Sequence, residues 1–361
     1  MRTPELRTPE APIADVRAPE VLIRIEALST VFGPDPRGAL TRVRAGCDKA
    51  RLLAETGHTL ALHDVNLEIA RGEIFVIMGL SGSGKSTLVR HINRLIDPTE
   101  GRIWIDGEEV LGLPIPALIA LRRHRLAMVF QRFGLHAHRR VVDNVAYGLE
   151  VQGMDPATRR ARALEWVERV GLTGFESHYP AQLSGGMQQR VGLARALCAG
   201  TDIILMDEAF SALDPLIRSQ LQAELLKLQD TLGKTIVFIT HDLDEALRLG
   251  NRIAILRDGR LIQVGSPDDI LLAPADAHVA DFVRDVNRAR ALRVRNVLTA
   301  WPDGHAIPPP SQAVDADQSI ESILPRLVGR TAALAVSRHG EVVGAVSLDK
   351  VRTLLGTADT P

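Results

Sequence analysis

Gly79-Leu80-Ser81-Gly82-Ser83-Gly84-Lys85-Ser86 fits G-x-x-x-x-G-K-[ST] at every position, and Thr87 follows it. The near-continuous apolar run from Glu73 to Met78 precedes it and reads as a strand covered on both faces. Thr87 to Leu95 reads as a helix after it. Between a strand and a helix, such a stretch is a phosphate cradle. Its glycines let the backbone wrap around phosphates and aim N–H groups at them. The helix N-terminus adds partial positive charge. Lys85 has the reach for the β- and γ-phosphates, and Ser86 has the hydroxyl for Mg2+.

Ile203-Ile204-Leu205-Met206-Asp207-Glu208 supplies a second part: four apolar residues for a central strand, then two carboxylates at its C-terminal end. Open α/β sheets bind ligands at those ends. Asp207 is placed to hold Mg2+, and Glu208 to polarise a water for attack on the γ-phosphate. These two parts define a P-loop NTPase and leave kinases, GTPases and helicases open.

Outward from this centre, strands are expected at 21–25, 61–69, 102–105, 125–130, 203–206, 235–239 and 252–256. Helices are expected at 39–55, 156–170 and 216–229. The alternation argues for an α/β core with a mostly parallel sheet. Residues 277–294 read as a helix leading away from that core. A break at 302–310 separates it from a small α+β unit with helices at 320–327 and 348–355 and strands at 332–336 and 342–346. Residues 1–20 repeat Arg-Thr-Pro-Glu and are expected to be a disordered tail.

The 361 residues allow roughly two domains at about 150 each. A net charge of −1 argues against a dedicated nucleic-acid binder. No apolar stretch approaches the ~20 residues that span a bilayer. Two cysteines, Cys47 and Cys198, and a charged N-terminus without an apolar segment point to a cytosolic, reducing setting. Six arginines and no acid lie between 121 and 140, which offers a basic surface for a partner or for lipid headgroups. His136 and His138 have no third ligand nearby and are not expected to bind metal.

Leu183-Ser184-Gly185-Gly186-Met187-Gln188-Gln189-Arg190 separates the NTPase classes. It opens a helix with a second phosphate-ready N-terminus, and one nucleotide cannot readily use both such sites within a single subunit. At this point the chain resembles an ATP-binding cassette (ABC) ATPase, whose signature motif this is. The resemblance implies a homodimer paired head to tail, with each ATP between one P-loop and the other subunit's Ser184, Gly185 and Gly186. It matches Gln131 to the Q-loop glutamine, Ser211-Ala212-Leu213-Asp214 to the D-loop and His241 to the switch histidine. Phe32 is matched to the aromatic that stacks on adenine.

The segments 72–87, 206–218 and 241–246 more closely resemble the ATPase subunits of glycine betaine/proline-type importers, as do the Met in the signature and the insertion at 34–60. The resemblance therefore implies catalytic roles for Glu208, His241, Gln131 and Lys85. The nucleotide would meet Phe32, Gly79, Ser81, Gly82, Ser83, Gly84, Lys85, Ser86, Thr87, Ser184, Gly185, Gly186 and Asp214. Mg2+ would meet Ser86, Gln131 and Asp207. The implied partners are a membrane permease and, through it, a solute-binding protein; no nucleic acid is implied. The implied place is the cytoplasmic face of the plasma membrane. The expected organisation is an ATPase domain at 21–285 with a helical subdomain at about 132–182. A linker and a single CBS-like motif follow at 286–361, where the family carries two. A motif paired between subunits and a vestigial one with a packing role both stay open. The alternatives are an ABC importer ATPase for another small solute and a soluble ABC ATPase acting on nucleic acid or ribosomes.

Overall fold

The computed structural model describes residues 20–130, 134–211, 213–301, 308–330, 332–338 and 340–356. The expected tail, apart from Glu20, and Gln131 lie outside the described residues.

The chain runs β1 (Val21–Phe32), α1 (Pro36–Arg44), α2 (Lys49–Thr56), β2 (Thr59–Ala70), β3 (Ile74–Met78), α3 (Lys85–Ile92), β4 (Glu100–Ile105), β5 (Glu108–Glu109), α4 (Ile115–His124) and β6 (Leu126–Val129). Then come α5 (Val141–Val151), α6 (Pro156–Arg169), α7 (Gly185–Cys198), β7 (Ile203–Asp207), α8 (Pro215–Leu232), β8 (Thr235–Thr240), α9 (Leu243–Leu249), β9 (Arg252–Arg257) and β10 (Arg260–Gly265). The remainder is α10 (Pro267–Leu272), α11 (Ala277–Phe282), α12 (Arg288–Ala291), β11 (Val314–Asp315), α13 (Ile320–Leu327), β12 (Leu334–Arg338), β13 (Glu341–Val346) and α14 (Leu348–Leu355).

The central sheet has the order β10-β9-β3-β8-β7-β6. Its strands are parallel except for β10, which pairs antiparallel at one edge. β3, β7 and β8 are buried along their whole length. Successive side chains point to opposite faces of a strand. Ile74, Val76 and Met78 accordingly enter one apolar core, and Phe75 and Ile77 enter the other.

β1, β2 and β4 do not extend this sheet. With β5 they form a separate antiparallel sheet, β2-β1-β4-β5, that closes the second core. The strands expected at 61–69 and 102–105 thus belong to this layer and not to the parallel one. Exposed and buried residues mix along β1 and β2, as suits strands with one wet face. A third core joins α5, α6 and α7 through Val145, Leu149, Val167 and Val191.

The helix expected over 39–55 is two helices. The chain breaks at Gly46, with φ +97°, and restarts where the Asp48 carboxylate accepts the Arg51 N–H at 2.8 Å. Both helices pack on the start of the β1–β2 hairpin through Leu40, Val43 and Leu52. The helix expected over 277–294 is also broken. Asp276 caps α11, and Asn287 caps α12. It does not lead away from the core: Val279, Val283, Leu292 and Val294 are buried in the same apolar cluster as Ile74 and Val76. That cluster continues into Val314, Ile320, Val336 and Val346 of the C-terminal unit. In that unit β11 and β12 are parallel, and β12 and β13 antiparallel.

Candidate nucleotide site

The carboxyl ends of neighbouring parallel strands bring the expected residues together. β3 runs into the P-loop, β7 ends at Asp207, β8 ends one residue before His241, and β6 ends just before Phe130.

Two glycines give the P-loop its shape. Gly79 has φ +149°, and a Cβ there would lie 2.1 Å from the Leu256 carbonyl oxygen. Gly84 has φ +104°, and its Cβ would lie 2.5 Å from the Ala61 carbonyl oxygen. Only glycine meets both demands. Ser81 and Gly82 form the exposed crest. The Ser83 Oγ is buried without a hydrogen-bond partner. A buried hydroxyl left unpaired is costly and suits an incoming phosphate oxygen. The Lys85 ammonium donates to the carbonyls of Gly79, at 2.8 Å, and Leu80, at 3.0 Å. Burial lowers its pKa, and the nearby Glu208 and Asp207 charges oppose that.

Ser86 donates from Oγ to Asp207 Oδ1 at 2.9 Å. A hydroxyl beside a carboxylate is a hard oxygen pair, the kind Mg2+ takes when phosphates and waters fill its other positions. Among the described residues no cluster of three His, Cys, Asp or Glu side chains forms a metal cage. Thr87 follows on α3, half-buried. Glu208 stands at φ +46°. Its N–H donates to Ile239 O at 3.2 Å, and its carbonyl accepts from the Ser211 hydroxyl at 3.0 Å. This turn aims the carboxylate at His241, whose Nδ1 is 3.5 Å from Oε1.

Ser184 caps α7 by accepting the Met187 N–H at 3.3 Å. Gly185 and Gly186 open that helix, which packs into the third core through Val191 and Ala194 and into the first through Leu193 and Leu197. A Cβ on Gly186 would touch Ile217 of α8 at 3.2 Å. Asp214 caps α8 through the Ile217 N–H at 3.0 Å. Phe32, 42% exposed, ends β1 and lines a groove of about 470 Å³ with Thr30, Asp35, Asp97 and Thr99. No P-loop residue lines that groove.

Three arginines of the basic stretch are held within the chain. Arg122 donates to the Asn93 and Arg94 carbonyls, Arg125 pairs with Asp106 and Asp202, and Arg139 pairs with Glu150. Beside it lies a mainly apolar groove of about 560 Å³, lined by Ile119, Met128, Phe130, Tyr147, Val151 and Ala199 among others.

Three neighbours of the site have no role assigned by the sequence motifs. Arg90 lies 3.9 Å from Asp207 and four residues after Ser86, a helical spacing that places both on one face. Arg218 joins the Leu213 carbonyl to Asp242 at 3.3 and 3.1 Å. Lys49 reaches the P-loop from the insertion; no local pattern marks it.

The protein-family model described as ABC transporter matches residues 62–211. The glycine betaine transport ATP-binding protein OpuAA of Bacillus subtilis is 52% identical over 278 residues, 77% of this chain and 66% of that one. The glycine betaine/carnitine transport ATP-binding protein GbuA of Listeria monocytogenes is 48% identical over 334 residues, covering 92% and 82%. Among solved structures, a dimeric post-hydrolysis ATP-binding cassette bound to ADP and Pi aligns with a TM-score of 0.59 and 34% identity, over 68% of this chain and 99% of that one. With the P-loop, the Asp207–Glu208 strand end and the Ser184 turn in one fold, the chain belongs to the ATP-binding subunits of ABC transporters, in the branch of the glycine betaine transport proteins.

Proposed function

We propose that the chain hydrolyses MgATP between two of its own copies and thereby drives import of glycine betaine, proline or a related quaternary amine through a membrane permease. The observation that carries the hydrolysis is the convergence of Lys85, Ser86, Asp207, Glu208 and His241 at the ends of adjacent strands. Lys85 and the loop N–H groups hold the β- and γ-phosphates. Ser86, Asp207 and Gln131 hold Mg2+, which when bound offsets phosphate charge. Glu208 orients the attacking water, and His241 steadies the γ-phosphate. Ser184, Gly185, Gly186 and Asp214 act on the ATP of the partner copy. Ser184 caps α7 and Asp214 caps α8, each at a helix start outside the P-loop. Phe32 stacks on adenine.

The groove beside Phe130 and Tyr147 receives a helix of the permease, placing the ATPase peripherally on the cytoplasmic face of the membrane. Among the described residues no helix is long and apolar enough to cross a membrane. A solute-binding protein delivers the solute to the permease. We assign residues 21–285 to the ATPase and 286–361 to a linker and a single CBS-like motif, whose described residues Val314, Ile320, Val336 and Val346 join the core under β3. The test is uptake of labelled glycine betaine in cells lacking their own ATPase subunit, supplied with this chain and its permease. Choline, carnitine and proline serve as competitors. Uptake restored by wild type and not by Glu208→Gln supports the reading. Active ATPase without uptake of any of these solutes overturns the assignment of the solute.

A further inference from the structure

Lysine is scarce here: five lysines stand among 43 basic residues. Two of the five meet the P-loop. One is Lys85. The other is Lys49, from the insertion between β1 and β2, whose ammonium donates to the Gly82 carbonyl at 2.7 Å. A solid platform sets this contact. Lys49 is the first residue of α2, directly after the capping Asp48. Leu52, one turn on, is fully buried with Val31, Leu40, Val43 and Leu60. Arg42 and Arg51 both pair with Glu55, and Arg44 reaches Glu100 across to β4 at 2.5 Å. The Ala61 carbonyl of β2 backs Gly84. The insertion and the start of β2 thus both meet the loop.

We propose that Lys49 is a positioning residue for ATP, which makes the insertion part of the nucleotide site. A peptide unit is planar and trans. Holding the Gly82 carbonyl therefore sets the direction of the Ser83 N–H, which meets the Leu80 carbonyl at 3.2 Å. Gly82 at the crest sits at φ +76°, and a Cβ there would meet nothing within 4 Å, so no side-chain packing holds it. Lys49 also brings a second ammonium beside the site that receives the triphosphate. A compact ammonium suits a single carbonyl better than the planar fork of arginine, the usual cation of this chain. Half-buried, its charge is partly screened, so its effect on nucleotide affinity depends on salt.

The inference rests on the P-loop being the ATP site, which ATP binding by wild type and its loss in Lys85→Ala establish separately. The test compares full-length wild type, Lys49→Ala and Lys49→Arg for ATPase KM and kcat and for the Kd of a fluorescent ATP analogue, at low and high salt. Lys49→Ala is expected to raise KM and Kd up to about fivefold at low salt, the size expected for a partly exposed charge interaction. Its kcat is expected to stay within about twofold, and the gap to narrow at high salt. Lys49→Arg is expected to recover part of the affinity, because it keeps the charge while fitting the single carbonyl less well. Unchanged KM and Kd in Lys49→Ala overturn the proposal. A loss that ignores salt and is not recovered by arginine also overturns it, because packing of α2 alone then explains the effect.

Discussion

Replacing Glu208 by glutamine changes one oxygen to an amide and almost nothing else. The side chain keeps its volume, and the left-handed turn at φ +46° is fixed by backbone bonds to Ile239 and by Ser211, none of which involves the carboxylate. Folding stability is therefore expected to move by no more than about 0.5 kcal/mol, a shift in Tm of about 1 °C or less. Chemistry is a different matter. The carboxylate stands 3.5 Å from His241 and opposes the burial of Lys85 by its charge. Without it the attacking water loses its proton acceptor, a role that contributes typically about 10²- to 10⁴-fold. Removing a negative charge from beside the γ-phosphate does not weaken ATP binding. Phosphate release with saturating MgATP is thus expected to fall by at least about 10²-fold, with ATP affinity kept or slightly tightened and a dimer persisting with ATP on a sizing column. Turnover within about threefold of wild type, in a folded variant that binds ATP, refutes the role given to Glu208.

Other consequences follow from single sites. His91 is fully buried, with Nδ1 on the Ile96 carbonyl and Nε2 on the Thr30 hydroxyl, both at 2.7 Å; burial pushes its pKa below the ordinary histidine range. The unfolded chain takes up a proton below about pH 6.5 that the folded chain refuses, so the contribution of neutral His91 is lost as the pH falls through that range. Urea unfolding at stepped pH should show this, and the step should vanish in His91→Gln. Gly84→Ala places a methyl 2.5 Å from a backbone carbonyl at φ +104°, which costs at least about 1–2 kcal/mol, so both Tm and ATP binding should drop. A chain ending at Ala300 uncovers Leu292, Val294 and Val297, which are buried in the full chain. Sedimentation without nucleotide should find it aggregating more than the full chain, and a truncation that matches the full chain both there and in MgATP turnover would contradict the shared core.

The P-loop, the Asp207–Glu208 strand end and the Ser184 turn were legible because each is a local pattern whose chemistry is written in adjacent residues. The strand endings expected at Met78, Met206 and Ile239 follow from apolar runs that a sheet covered on both faces demands; the second and third strands run one polar residue further, to Asp207 and Thr240. Contacts between distant segments were not legible. Nothing near Lys49 in sequence announces Gly82, 33 positions away. The pairing of β1 with β4 depends on a register, Ile23 with Ile105, that no local signal carries. The breaks at Gly46 and Asn287 were hidden because helical spacing of apolar residues continues across them. The C-terminal unit reads as a separate module because a Pro- and Gly-containing stretch precedes it. Its place is set instead by Leu292, Val294 and Val297 joining the core under β3.

The claim on which the rest depends is that each ATP is held between the P-loop of one copy and the Ser184 turn of another. It is tested by mixing two variants in the Glu208→Gln background, one also carrying Lys85→Ala and the other Ser184→Arg. Each alone damages both sites of its homodimer. A mixed dimer has one site with both defects and one with neither. The account predicts that MgATP drives dimer formation only in the mixture, with one trapped nucleotide per dimer. A mixture that stays as monomeric and nucleotide-free as its components would contradict it.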